Sequence, residues 1–169
     1  MAMEALGAFE RHDDVIDVRF ERHYPRPVET VWRALTEPER LADWMGVCEM
    51  EPFVGGRVRL MKDIAHPMQG EVRVWEPPRV LEFSWTNTHA PNSVVRYELE
   101  PAEGGTRLVF THLSMPYENS ALMLPGWHDF FARLGLALGG TAPPGTMDIR
   151  KMQAAYVEHY QLRGVRLEP

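Results

Sequence analysis

The sequence predicts an α+β domain in which a curved antiparallel sheet packs against one long helix late in the chain. Three observations predict it. The 169 residues suit a single domain with one core. From about residue 49 onward, short alternating segments follow one another with connections too brief for parallel crossovers. After them comes a stretch, PGWHDFFARLGLALGG, whose apolar residues Trp127, Phe130 or Phe131, Leu134 and Leu138 recur at helical spacing and end at Gly139–Gly140.

In chain order, residues 1–14 read as an N-terminal arm. VIDVRFERHY, 15–24, places Ile16, Val18 and Phe20 on one face and Asp17, Arg19 and Glu21 on the other, the period of a half-buried strand. Pro25 and Pro27 stop it. Val28, Val31, Trp32 and Leu35 then form the stripe of a short helix. TEPE, with Thr36 and Glu39 as a capping box, opens a second short helix that turns Leu41 and Trp44 inward and stops at Gly46. Five strands follow in GGRVRLMK, QGEVRVWE, RVLEFSW, SVVRYELE and TRLVFTHL. Their apolar face carries Leu81, Phe83 and Trp85, then Val95, Tyr97 and Leu99, then Leu108, Phe110 and His112. Residues 114–125 read as an irregular apolar loop, placed to act as a lid, before a helix over 126–138. Residues 141–169 supply a linker and an extra helix, about Asp148 to Arg163, with Ile149, Met152, Tyr156 and Tyr160 on one side and Gly164 as its stop.

Composition narrows the function classes. A net charge of −6 provides no footprint for nucleic acid, which needs clustered Lys and Arg. MAMEALGAFE lacks the basic start of a signal peptide, and no run reaches the ~18 apolar residues of a membrane span. The lone Cys48 fits a reducing compartment, so a cytoplasmic location is expected. The neighbouring Glu49 and Glu51 make it a bystander and not a nucleophile. His12–Asp13–Asp14 cannot converge on one metal ion from three consecutive positions, and no HxH, HExxH or CxxC accompanies it. No glycine pair forms a nucleotide-binding loop, and no cofactor is expected. His23, His66, His89 and His159 read as solvated surface.

His128 and Asp129 are adjacent on a helix and point ~100° apart, so they do not form a base-and-orienter pair with each other. His128 is expected at the flank of the helix or at a pocket mouth. As proton carriers, His112 and His128 remain the two candidates, each needing a partner from another element.

Several segments carry a more specific signal: RFERHYPRPVETVWRALTEPERLADWMG, VWEPPRVLEFSW, GGTRLVFTHL and GWHDFFARLGLALGG. In order and spacing they resemble the family named for the C-terminal domain of the activator of the ninety-kilodalton heat-shock-protein ATPase, within the START-like (SRPBCC, helix-grip) superfamily. The resemblance covers about residues 15–140. It implies a sheet of about seven antiparallel strands gripping a long C-terminal helix around an apolar cavity, with two short helices after the first strand. It also implies that Trp44, Met45, Trp85, Tyr97, Phe110, His112, Trp127, Phe130, Phe131 and Leu134 include the lining of a site for a small hydrophobic or amphipathic molecule. His112, Tyr97 and Glu98 are possible polar anchors, although the alternation turns Glu98 outward. A cyclase or hydrolase using the same cavity, and a co-chaperone-like interaction module or homodimer, are the alternatives that this fold leaves open.

Overall fold

The computed structural model describes residues 4–145 and 149–169. Eight strands form one antiparallel sheet: β1 Ala8–His12, β2 Val15–Tyr24, β3 Glu49–Met50, β4 Arg57–Leu60, β5 Met68–Glu76, β6 Val80–Trp85, β7 Ser93–Ala102 and β8 Gly105–Pro116, in the spatial order β1-β2-β8-β7-β6-β5-β4-β3. The helices are α1 Val28–Thr36, α2 Pro38–Leu41, α3 Ser120–Leu138 and α4 Arg150–Tyr160. Strands β3 to β8 run as a meander. The crossover that carries α1 and α2 lets β2 pair with β8.

Period-2 alternation decides which face of the sheet is inner. Ile16, Val18 and Phe20 of β2, Leu81, Phe83 and Trp85 of β6, and Leu108, Phe110 and His112 of β8 are all buried, while Arg19, Glu21 and Glu98 face outward. Helix α3 fills the hollow of that face. Phe131 lies 5.0 Å from Phe110 and 5.3 Å from Phe20, ring centre to ring centre, and Trp127 lies 4.3 Å from Phe110. The Tyr24 hydroxyl donates to the Phe131 carbonyl at 3.0 Å, fixing the depth of the helix in the sheet. On the flank, Trp44 Nε1 donates to the Ala34 carbonyl, which ties α1 to the turn after α2.

Several details depart from the sequence reading. Residues 8–12, expected in an arm, form β1 and pair with β2 from Ala8↔Arg19 to His12↔Val15. Only Phe9 of this strand is even partly buried, so its side chains carry no alternation; backbone hydrogen bonds hold it. With the two-residue β3, it brings the sheet to eight strands. The capping box is absent: Thr36 donates back to the Trp32 carbonyl at 2.9 Å, and Glu37 takes the N-cap position of α2 without a side-chain cap.

The stretch 114–125 is no lid loop. Strand β8 runs on to Pro116, a single 3₁₀ turn spans Tyr117–Asn119, and α3 starts at Ser120. Pro125, which reads as a loop residue, sits inside the helix. It cannot donate to the carbonyl of Ala121, and Gln153 of α4 takes that acceptor through Nε2 at 2.8 Å. A tertiary contact thus restores what the proline removes. Helix α4 ends earlier than Gly164, at Gln161 in the left-handed region with φ of 52°. Its expected start at Asp148 lies outside the described residues.

Helix α4 also meets the beginning of the chain. The Gly7 amide donates to the Tyr156 hydroxyl at 2.7 Å, and the Tyr160 hydroxyl donates to the Gly7 carbonyl at 2.6 Å. Arg22, buried on the inner face of β2, is matched here by Glu4 at 2.8 Å and by the Ala5 carbonyl at 2.8 Å. The segment 4–7 and α4 therefore close over one side of α3 and cover the single inward charge of β2.

Candidate functional site

In an antiparallel meander, alternate connections fall at the same end. The β4–β5 connection, 61–67, the β6–β7 connection, 86–92, and the turn into α3 are gathered in this way around the first half of α3. Between them lies an apolar pocket of about 150 Å³, lined by Met61, Ile64, His66, Trp85, Asn87, His89, Met123, Gly126, Trp127 and Phe130. Trp85 and Trp127 form its inner wall with ring centres 5.1 Å apart.

Gly126 gives the pocket part of its room. A Cβ built on Gly126 meets no atom within 4 Å. Glycine inside a helix costs roughly 0.5–1 kcal/mol relative to alanine, so this position gives up helix stability where a side chain would have encountered only open space.

Polar residues form the mouth. The Asn87 side chain accepts from the amides of His89 and Ala90 at 3.1 and 2.9 Å, and Asn119 Nδ2 donates to the His89 carbonyl at 2.8 Å. Held by these bonds, His89 packs against His66 from the facing connection, with ring centres 4.3 Å apart and planes tilted by 50°. Burial, then the neighbouring His66 and Arg166, hold the His89 imidazole below its ordinary pKa. These two histidines, read from sequence as solvated surface, are the titratable groups of the pocket.

Of the residues expected to line a site, Trp85, Trp127 and Phe130 reach this pocket. Trp44, Met45, Tyr97, Phe110, Phe131 and Leu134 pack in the core around it; Trp44 touches Phe130 edge-on at 6.2 Å, and Tyr97 packs on Phe110 at 5.2 Å. Burial keeps the Tyr97 hydroxyl protonated well beyond its ordinary range.

His112 lies behind the Trp85–Trp127 wall, fully buried. Its Nδ1 accepts from Trp127 Nε1 at 3.1 Å and its Nε2 contacts Ser93 Oγ at 2.8 Å. Burial pushes its pKa down to about 3. His128 is not at a mouth: it is buried on the opposite flank of α3, with Nδ1 2.8 Å from the Tyr156 hydroxyl, and burial followed by the Arg22 charge pushes it down to about 4. Its neighbour Asp129 is half-buried, and burial raises its carboxyl pKa against the opposing pull of Arg133. The two candidate proton carriers are thus tied into packing contacts on different sides of the helix.

Elsewhere, burial pushes the Cys48 thiol up to about 11. His12 pairs with Asp17 at 3.2 Å. Among the described residues no cluster of three or more His, Cys, Asp or Glu side chains could hold a metal ion, and no helix is long and apolar enough to cross a membrane.

Sheet, crossover helices and gripped helix together form a helix-grip fold. The family model for "Activator of Hsp90 ATPase homolog 1-like protein" matches residues 25–139, from the end of β2 to the end of α3. The chain belongs to this family. No curated protein matches its sequence. Solved structures of similar shape include CalU16 from Micromonospora echinospora, with a TM-score of 0.73 and 24% identity, covering 90% of this chain and 95% of that one. MLL2253 from Mesorhizobium loti has a TM-score of 0.65 and 30% identity, covering 74% and 98% of the two chains. DynU16, a protein in the dynemicin biosynthetic locus, has a TM-score of 0.68 and 28% identity, covering 78% of this chain and 49% of its own. The likeness to CalU16 is a likeness of fold.

The residues missed from sequence are Met61, Ile64, His66, Asn87, His89 and Gly126; Met123, expected at the mouth with the stretch 114–125, does reach the pocket, from helix α3. Two signals for them were present: meander topology puts alternate connections at one end, and a glycine stands in the middle of an otherwise apolar helix.

Proposed function

We propose that this member of the family is a binding protein for a small apolar or amphipathic molecule, held between the Trp85–Trp127 wall, Phe130 and the connections 61–67 and 86–92. The observation that carries this reading is the room beside Gly126, open at a polar mouth and closed by aromatic walls. A dry apolar cavity of ~150 Å³ accommodates one benzene-sized ring. Burying ~200 Å² of ring surface at ~25 cal/mol per Å² contributes about 5 kcal/mol, enough for submillimolar affinity before any polar contact. Trp85 adds a buried indole N–H that has no acceptor among the described residues.

A role as cyclase or hydrolase through His112 or His128 is not supported by their positions, because neither lines the pocket. The buried, weakly acidic thiol of Cys48 is in keeping with a reducing, cytoplasmic setting.

The test is a titration of the protein with toluene or indole, followed by amide NMR shifts, alongside the variant Gly126→Leu. Saturable shifts around Met123–Phe130 are expected for the native protein and their loss is expected for the variant, whose thermal midpoint should not fall. Absence of saturable binding in the native protein, or undiminished binding in Gly126→Leu, would overturn the reading.

A further inference from the structure

The pocket has two chemically different parts, and together they specify a kind of ligand. Its interior offers the ring faces of Trp85 and Trp127, the half-buried Phe130, and the thioethers of Met61 and Met123. Flat aromatic rings pack favourably on such walls, edge to face or on sulfur. Its mouth offers two imidazoles at 4.3 Å, one of them fixed through its backbone by Asn87 and Asn119.

The charges around the mouth are unevenly distributed. Arg166, from the C-terminal tail, acts electrostatically on His89. Glu118 faces Arg166 at 3.7 Å. On the connection that carries His66, Lys62 is paired with Glu49, and Asp63 is occupied by the Val47 amide. The pocket walls from β6 and α3 (Trp85, Met123, Gly126, Trp127 and Phe130) carry no charge. Two imidazoles therefore line the opening, Arg166 acts on one of them from outside the lining, and no carboxylate lines the pocket itself. Two imidazoles this close oppose each other's protonation; an anion between or beside them would relieve that repulsion and accept their N–H groups.

Resting on the pocket assignment above, we propose that the ligand is a small aromatic carboxylate, its single ring in the apolar interior and its carboxylate on His66 and His89. Binding draws a proton onto His89, because the carboxylate favours the imidazolium form that burial and the neighbouring His66 disfavour there. Affinity for the acid therefore rises as pH falls through the imidazole range, while a ligand acid with its own pKa near 4 stays ionised.

The experiment compares benzoate with its neutral isostere benzamide and with toluene, by NMR titration of the full chain at pH 6.0 and 8.0. Benzoate is expected to bind about tenfold tighter at pH 6.0 than at pH 8.0, and benzamide and toluene to show no such change. In the double variant His66→Gln, His89→Gln, the ratio of benzoate to toluene affinity should lose its pH dependence. Benzoate binding no tighter than benzamide at pH 6.0, or a pH dependence that survives in the double variant, overturns the carboxylate assignment. Toluene binding without benzoate binding overturns it too and leaves the pocket standing; failure of all three rings overturns both.

Discussion

Trp127 Nε1 donates to His112 Nδ1 across 3.1 Å, and this bond fixes the state of the histidine. An indole nitrogen only donates, so Nδ1 is unprotonated. In the neutral ring Nε2 then carries the proton and donates to Ser93 Oγ at 2.8 Å, and the Ser93 hydroxyl donates to the Ala90 carbonyl at 2.9 Å. The bond thus joins the gripped helix to the sheet and to the connection that bears His89.

Stability should fall in mild acid because of this arrangement. In the unfolded chain His112 has a pKa near 6.5; in the fold it is about 3. Above pH 6.5 both states are neutral and the contribution is complete. Below it the unfolded chain takes up a proton that the native state refuses, so stability is lost by up to ~1.4 kcal/mol per pH unit until about pH 3. His128 acts in the same direction. Urea unfolding at pH 7.5, 6.0 and 5.0 should show His112→Gln less stable at pH 7.5 by about 1–3 kcal/mol and shallower in its pH dependence. Parallel slopes for the native and variant proteins would contradict this account.

Tyr156→Phe should cost about 1–3 kcal/mol, although it removes a single oxygen. That oxygen receives the Gly7 amide and meets His128, and without it both are left buried and unmatched. Hydrogen exchange gives the specific readout. The Gly7 amide should lose its protection in the variant, while amides in the β7–β8 ladder keep theirs up to the loss in global stability.

Pro125 and Gln153 should be energetically coupled. With proline at 125, the Ala121 carbonyl depends on Gln153 Nε2; with alanine there, the helix supplies its own donor. Gln153→Ala is therefore expected to cost about 1 kcal/mol in the native background and less than half of that alongside Pro125→Ala. Equal costs in a double-mutant cycle measured by chemical denaturation would show that the two residues act independently.

Legibility from sequence followed the physics of each element. Strands with one buried face announced themselves through alternation, as at Ile16–Val18–Phe20 and Leu81–Phe83–Trp85. The grip of Trp127, Phe131 and Leu134 was equally visible in helical spacing. Strand β1 was hidden because Ala8, Glu10 and His12 are all exposed, so its side chains show no buried face. The first turn and a half of α3 was hidden by Pro125, whose missing donor is replaced from 28 positions away by Gln153. The burial of His128 on the flank of α3 was not legible because the cover over it comes from both ends of the chain. The pocket was least visible of all. Its mouth joins His66 to His89, two residues in irregular segments with no spacing between them to interpret; only the three-dimensional alternation of hairpin ends brings them together.

The division of labour between framework and connections has a consequence for how this fold can diversify. Trp85, Trp127 and Phe130 belong to elements whose positions the whole core dictates, whereas His66, Asn87 and His89 stand on two short surface connections outside the strands. Exchange of 61–67 and 86–92 between relatives would then transplant taste without retuning the scaffold, so that one grip serves many chemistries by changing only its lips.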